Sequence, residues 1–257
     1  MHRLRFSLAI LLLSAVSLSG QEKKAATATA KHTKDVDPLA MDVLRAVTQP
    51  IQQAQSFRFK ALISEEQLAS DGQMITLFRV TNVAVQRPDK IHLSIRALGQ
   101  RVEFYTANAK TIMFAPDAGV YTTFETKNTI DGIMDGVSAK DIDMPVAPFL
   151  RTDLYDRTAK VVETAYVIGR VKMFDEDVHQ IAFTSPDADW QMWVTGGEAP
   201  RIVRVEIINK NLEGKPRTAI QFLDWDLSPN LGTDEFTFTK PADAHEISML
   251  PVTGGAK

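Results

Sequence analysis

Not one cysteine occurs among the 257 residues. That absence excludes disulfides, thiolate metal sites, a cysteine nucleophile and a lipid-bearing cysteine behind a leader, so any attachment to a membrane is expected to be non-covalent. Long apolar runs are missing too. Past the N-terminal leader no segment supplies the roughly 20 apolar residues that cross a bilayer, and no stable membrane span is expected once the leader is removed. There is no basic excess: taking Arg3 and Arg5 from the 29 basic residues leaves 27 against 32 acidic ones, a charge of about −5 that argues against a nucleic-acid partner. Neither a Gly-x-Ser-x-Gly elbow nor a phosphate loop occurs, so two common catalytic templates have no support. Histidine is sparse. Of five, His2 falls in the leader and His32 just after it, and His92, His179 and His245 show no ligand spacing, so no metal, cofactor or catalytic residue is nominated.

What is present begins with "MHRLRFSLAILLLSAVSLSGQ". Basic Arg3 and Arg5, an apolar run from Phe6 to Leu13 and the small pair Ser17 and Ser19 predict a cleavable secretory signal peptide over residues 1–20. Export without cysteine points to a bacterial periplasm rather than an oxidising eukaryotic route. Residues 21–36, small and polar, lack the apolar side chains that offset ordering entropy and read as a flexible tether. In "PLAMDVLRAVTQPIQQAQ" the spacing predicts a helix with Leu39, Val43, Val47 and Ile51 on one stripe, Asp37 as cap, Pro38 in the first turn, and Pro50 ending or kinking it.

From Ser56 the apolar period changes to two. Strands separated by turn residues at Asp71-Gly72, Pro88-Asp89, Asn108, Pro116-Asp117 and Gly119 predict a meander of antiparallel hairpins. Between Asn128 and Leu154 the rhythm breaks, and Ile130, Ile133, Met134 and Val137 take helical spacing. A second run follows, from "VETAYVIGRVKMF" to "RTAIQFLDWDL", with "DEFTFTKP" read as its last strand. The expected layout is one domain over residues 37–247 with residues 248–257 as a tail.

The stretch "DADWQMWVTGGEAPRIVRVEI" spends two of three tryptophans on one strand. Successive side chains alternate faces, so Trp190, Met192 and Val194 share one and Trp193 takes the other. Across the Gly196-Gly197 turn, Val203, Val205 and Ile207 are expected to face the same way as Trp190. Apolar residues on both faces, a helix before the meander and a helical insertion within it predict a mainly β fold with helices (α+β), a strongly curved antiparallel sheet wrapped around the helices. Trp190, Met192, Val194, Val203 and Val205, with Leu93, Ile95 and Phe104, are the candidates for a concave ligand wall. Phe78, Ile112, Phe114, Phe124, Leu223 and Trp225 complete the apolar set at in-phase strand positions. Asp131, Asp135, Asp141 and Asp143 cluster in the insertion, but caps and turns account for them. "DEDVH", Asp175 to His179, lacks the oxygen positions and glycine of a calcium loop and reads as a hairpin turn.

The order "PDKIHLSI", "TAYVIGRV", "VHQIAFTSPDADWQMWV", "APRIVRVEI" and "FTFTKPADAHEI" resembles a family of predicted periplasmic proteins related to the lipoprotein carriers LolA and LolB and the sensor RseB. The likeness runs from Pro38 to Ile247 and rests on strands and turns, with no catalytic motif. It implies an unclosed half-barrel with helices across its concave side, holding a lipid, a lipoprotein acyl chain or another hydrophobic ligand. Two roles fit that implication: a periplasmic non-catalytic carrier, or an envelope sensor that binds a protein partner. A hydrolase would need an acid-base set that the sequence does not offer.

Overall fold

The computed structural model describes residues 35–140 and 142–248. The expected signal peptide, the tether up to Lys34, Asp141 and residues 249–257 lie outside the described residues. Helix α1 (Pro38–Gln53) leads into strands β1 (Ser56–Leu68), β2 (Met74–Gln86), β3 (Lys90–Ala97), β4 (Gln100–Ala107), β5 (Lys110–Ala115) and β6 (Val120–Glu125). Helices α2 (Ile130–Ser138) and α3 (Leu154–Val161) interrupt them. Strands β7 (Thr164–Met173), β8 (Glu176–Thr184), β9 (Ala188–Thr195), β10 (Ile202–Asn209) and β11 (Arg217–Asp226) follow, and a two-residue β12 (His245–Glu246) ends the series.

The twelve strands among the described residues join one sheet in the order β12-β6-β5-β4-β3-β2-β1-β11-β10-β9-β8-β7. Neighbours are antiparallel except β12, which runs parallel to β6. Each run of hairpins is a local meander. The two are stitched together by β1, which pairs with β2 along its whole length and with β11 on its other edge, from Arg58↔Asp226 to Glu65↔Thr218. The outer strands β7 and β12 do not meet, so the architecture is an unclosed half-barrel with its concave face turned to the helices.

Helix α1 starts where the sequence places it. The Asp37 carboxylate accepts the Leu39 N–H at 2.9 Å, satisfying one of the free first-turn donors, and Pro38 sits where no donor is needed. Its buried stripe is rotated from the expected one: Ala40, Leu44, Val47 and Ile51 are buried while Leu39 is 58% exposed. Leu39 lies two residues after the cap, in the first turn and off the buried stripe that begins at Ala40. Pro50 does not end the helix, which continues to Gln53; so near the C-terminus the missing N–H forfeits one bond without breaking a long ladder. Burial of Leu44, Val47 and Ile51 is worth about 1.5–3 kcal/mol each.

In α2, the Thr129 hydroxyl accepts the Gly132 N–H, and Ile130, Ile133, Met134 and Val137 are buried as their spacing predicts. Gly132 is required there, because a Cβ would lie 2.6 Å from the Lys127 side chain. The concave core joins these helices to Phe57, Phe59, Ala61 and Ile63 of β1 and Ile220 and Phe222 of β11. Phe149, just before α3, meets Phe222 edge-on at 4.8 Å.

"DEFTFTKP" is not a sheet strand. A short turn at Thr233–Phe236 and an extended segment after it form a strap across the convex face of β3–β6. Phe238 lies 5.2 Å from Phe114, 5.3 Å from Tyr121 and 5.7 Å from Tyr105, while Phe236 and Ala244 are buried. The Glu235 carboxylate lies 2.8 Å from His92 Nδ1, and the His92 ring stacks on Tyr105. Alternation alone suggested a strand. Its apolar side chains instead cover sheet positions that face away from the helices.

Candidate functional site: the helix-covered concave face

Strand register brings the expected wall residues onto one face with a single exception. Leu93 pairs with Val83 and Phe104, and Ile95 with Thr81 and Val102, so the β3–β4 part faces the helices. In the other half, Trp190 is opposite Ile207 and Phe183, Met192 opposite Val205 and Ile181, and Val194 opposite Ile202. The Trp190 ring lies flat on Phe183 at 3.8 Å. Val203 is the exception. The register shifts between Ile202 and Arg204, and the extra residue turns Val203 to the convex side. There it packs with Val178, Met173 and Trp193. The two tryptophans therefore serve separate apolar layers, one on each face.

Strands β3 and β10, which carry Leu93 and Val205, lie four strand spacings apart, about 19 Å across the sheet at 4.8 Å per strand. Phe59, Phe222 and Trp225 fill the middle: Phe59 and Trp225 approach to 4.5 Å, Phe222 and Trp225 to 5.2 Å, and the Trp225 indole N–H donates to the Ile202 carbonyl at 2.9 Å. The wall is thus one continuous apolar surface. It is covered: Leu93, Phe104, Met192, Val194 and Val205 are nearly inaccessible. Partial exposure returns toward the flanks, at Ile95, Val102 and Met113 on one side and Val167, Trp190 and Ile207 on the other. Of the wider set, Phe78 is 59% exposed and Leu223 37% exposed. Both point to the convex face, as do Ile112 and Phe114, because a long alternating strand offers two phases and apolar type alone does not select one.

The cover is held down by charge. Arg151, which spacing did not connect to the acidic cluster, joins Asp135 at 2.9 Å and Asp153 at 2.8 Å, and donates to the Asp131 carbonyl at 3.3 Å. It clamps α2 to the start of α3. Burial works to lower its pKa, and the carboxylates outweigh burial and hold it above the ordinary value. Arg79 on β2 reaches across to Asp143 at 2.7 Å and also contacts Glu65 on β1, tying the segment after α2 to the sheet. Burial pushes Glu65 above its usual range despite Arg79. Arg87 donates to the carbonyls of Ala54 at 3.0 Å, Ile51 at 3.3 Å and Leu150 at 3.1 Å, capping the end of α1; burial lowers its pKa. Among the described residues no group of three or more His, Asp or Glu is placed to hold a metal ion, and no helix is long and apolar enough to cross a membrane.

An open antiparallel sheet with a continuous apolar inner face, closed over by short helices, defines a half-barrel class of protein. The chain belongs to the family described as predicted periplasmic protein (DUF2092), whose model matches residues 40–250. No curated protein matches it. Similar solved structures include LprF from Mycobacterium bovis, 14% identical, covering 82% of this chain and 100% of that one with a TM-score of 0.45. The lipoprotein LppX of Mycobacterium tuberculosis is 12% identical over 76% of this chain and 100% of its own, TM-score 0.46. A LolA superfamily protein from Nitrosomonas europaea is 12% identical over 77% and 97%, TM-score 0.34.

Proposed function

We propose that the protein is a periplasmic, non-catalytic binding or carrier protein that takes a lipid, an acyl chain or another hydrophobic molecule between the concave sheet face and its helical cover. In this reading residues 1–20 direct export and residues 37–247 act as one binding domain; the family's description supports the location. The observation that carries the proposal is the continuous apolar face from Phe104 through Phe59 and Phe222 to Met192, closed by helices rather than by hydrogen-bonded strands.

Magnitudes favour exchange of cover for ligand. A sixteen-carbon chain gains on the order of 12 kcal/mol at about 0.8 kcal/mol per buried methylene. Each charged hydrogen-bonded contact holding the helices is worth about 1.5–3 kcal/mol. The contacts that tie the cover to the sheet, Arg79 to Asp143 and Arg87 to the carbonyls of Ile51, Ala54 and Leu150, total about 6–12 kcal/mol on that scale, no more than the chain supplies when the displaced helical side chains pack on the ligand in place of the sheet.

The test is native mass spectrometry of protein taken from the cell envelope, followed by solvent extraction, alongside titration with a fluorescent fatty acid. A bound acyl species and saturable probe binding are expected. Protein of bare polypeptide mass that also gives no saturable titration overturns the proposal.

A further inference from the structure

The convex face of the β7–β10 half carries a different feature. One cross-strand row reads Tyr166, Ala182, Gln191, Glu206. Three tall side chains surround a single methyl, so the surface drops at Ala182. The result is a half-enclosed cavity of about 200 Å³, completed by Thr184, Asp189 and Ile208 from the next row.

Both of its carboxylates are already paired with cations that stand outside the lining. Glu206 is paired with Arg204 at 2.7 Å and Arg217 at 3.1 Å, and Asp189 with Lys210 at 3.0 Å. An arriving ammonium ion would compete with three cations already in place, and an arriving anion would meet two carboxylates. No unpaired charge lines the cavity, so neither ion finds a free partner there. The spare lone pairs of the held carboxylates still accept hydrogen bonds. The Gln191 amide oxygen is taken by Gln180 Nε2 at 2.7 Å, which leaves its NH2 group to donate. On the open side stands Tyr166, 52% exposed, offering an aromatic face and a hydroxyl.

Acceptors, a donor and an aromatic platform around a shallow depression suit a ligand with several hydroxyls, no charge and one apolar C–H face. The volume falls below the roughly 300–1,000 Å³ of sites for drug-sized molecules and matches one ring. We propose that this cavity binds a neutral sugar ring, either a free monosaccharide or the terminal residue of a glycan. It opens on the face opposite the helices, borders the concave layer at Phe183 and Trp190, and is a separate site from that of the hydrophobic ligand proposed above.

The test follows backbone amide shifts of Tyr166, Ala182, Gln191 and Glu206 by NMR while methyl β-glucopyranoside and methyl N-acetyl-β-glucosaminide are titrated into the full chain. A dissociation constant on the order of millimolar is expected for so small a contact. Glucosamine and methyl glucuronide are expected to bind at least tenfold more weakly. Ala182→Leu fills the floor and Tyr166→Ala removes the platform; each is expected to weaken binding at least tenfold. Tyr166 is exposed at a sheet edge, so Tyr166→Ala keeps a folded reference should Ala182→Leu disturb packing. A trisaccharide that binds more tightly than its monomer assigns the site to a glycan end, and equal affinity assigns it to free sugar. No shift with either neutral glycoside at tens of millimolar, preference for a charged sugar, or binding untouched by Tyr166→Ala overturns the proposal.

Discussion

The two halves of the sheet are built from similar alternating strands but finish their convex faces differently. Over β3–β6 the strap brings Phe236 and Phe238 down onto the sheet, and Phe114 is 8% exposed. Its edge strand β6 is covered by β12. Over β7–β10 the sheet supplies its own small cluster around Trp193, while Tyr166, Ile168 and Val171 are 40–52% exposed. Among the described residues, the outer edge of β7 is bridged at Ala165 by Val36, and a bulge between Val167 and Gly169 interrupts the regular run of that edge before pairing with β8 resumes. The difference teaches that alternation sets which side chains share a face, whereas exposure depends on what the rest of the chain lays over them.

The largest expected effect tests that contrast directly. Phe236→Ala should lower stability by about 3–4 kcal/mol, because it empties a buried site under the strap, and Tyr166→Ala should cost under about 1 kcal/mol, as exposed positions do. Urea unfolding measures both, and similar losses would erase the contrast. Next, Trp190→Ala and Trp193→Ala should each cost on the order of 3 kcal/mol. At matched fraction folded, only Trp190→Ala should weaken binding of a fluorescent fatty acid; a larger loss at Trp193 would move the ligand to the convex side.

Arg151→Met should cost about 2 kcal/mol, the scale of hydrogen bonds to charged groups. The same change should quicken proteolysis between α2 and α3 more than cleavage in the β7–β8 hairpin. The smallest effect is in pH. Burial works to raise the Asp153 pKa, but Arg151 and Arg157 outweigh it and hold the carboxyl below its ordinary value. Its contribution is therefore present above the unfolded carboxylate range, near 3.9, and is lost as pH falls through the depressed folded value. Asp153→Asn should flatten that acid limb of the stability curve, and an unchanged limb would show that the pair is fully screened.

Much of this was legible in the sequence. The Asp37-Pro38 start, the stripe of α2, the hairpin order and the separation of Trp190 from Trp193 all follow from local periodicity and capping. Val203 did not, because one inserted residue reverses a face without leaving a mark in residue type. The strap was misread because its apolar residues obey a strand's period while covering another strand's side chains. Arg151 was missed for the opposite reason: its partners Asp131 and Asp135 are some 16–20 positions away, beyond any helical or strand spacing. The ligand role of the concave wall rests on chemistry that periodicity does not address, since a core side chain and a wall side chain have the same sequence pattern.

The β1–β11 seam also has a kinetic consequence. Every other antiparallel pair joins strands adjacent in the chain, so each half can assemble by closing short loops in turn. The seam brings Ile63 against Ile220, and closing about 150 residues of unstructured chain would cost roughly 4–5 kcal/mol. Folding that first forms the two meanders shortens this effective loop, leaving seam closure as the step that commits the molecule. Side chains along β1 and β11 then control the refolding rate, whereas those at the β7 and β12 margins act on unfolding. Until that step, the exposed β1 and β11 edges are where two unfinished chains would mispair.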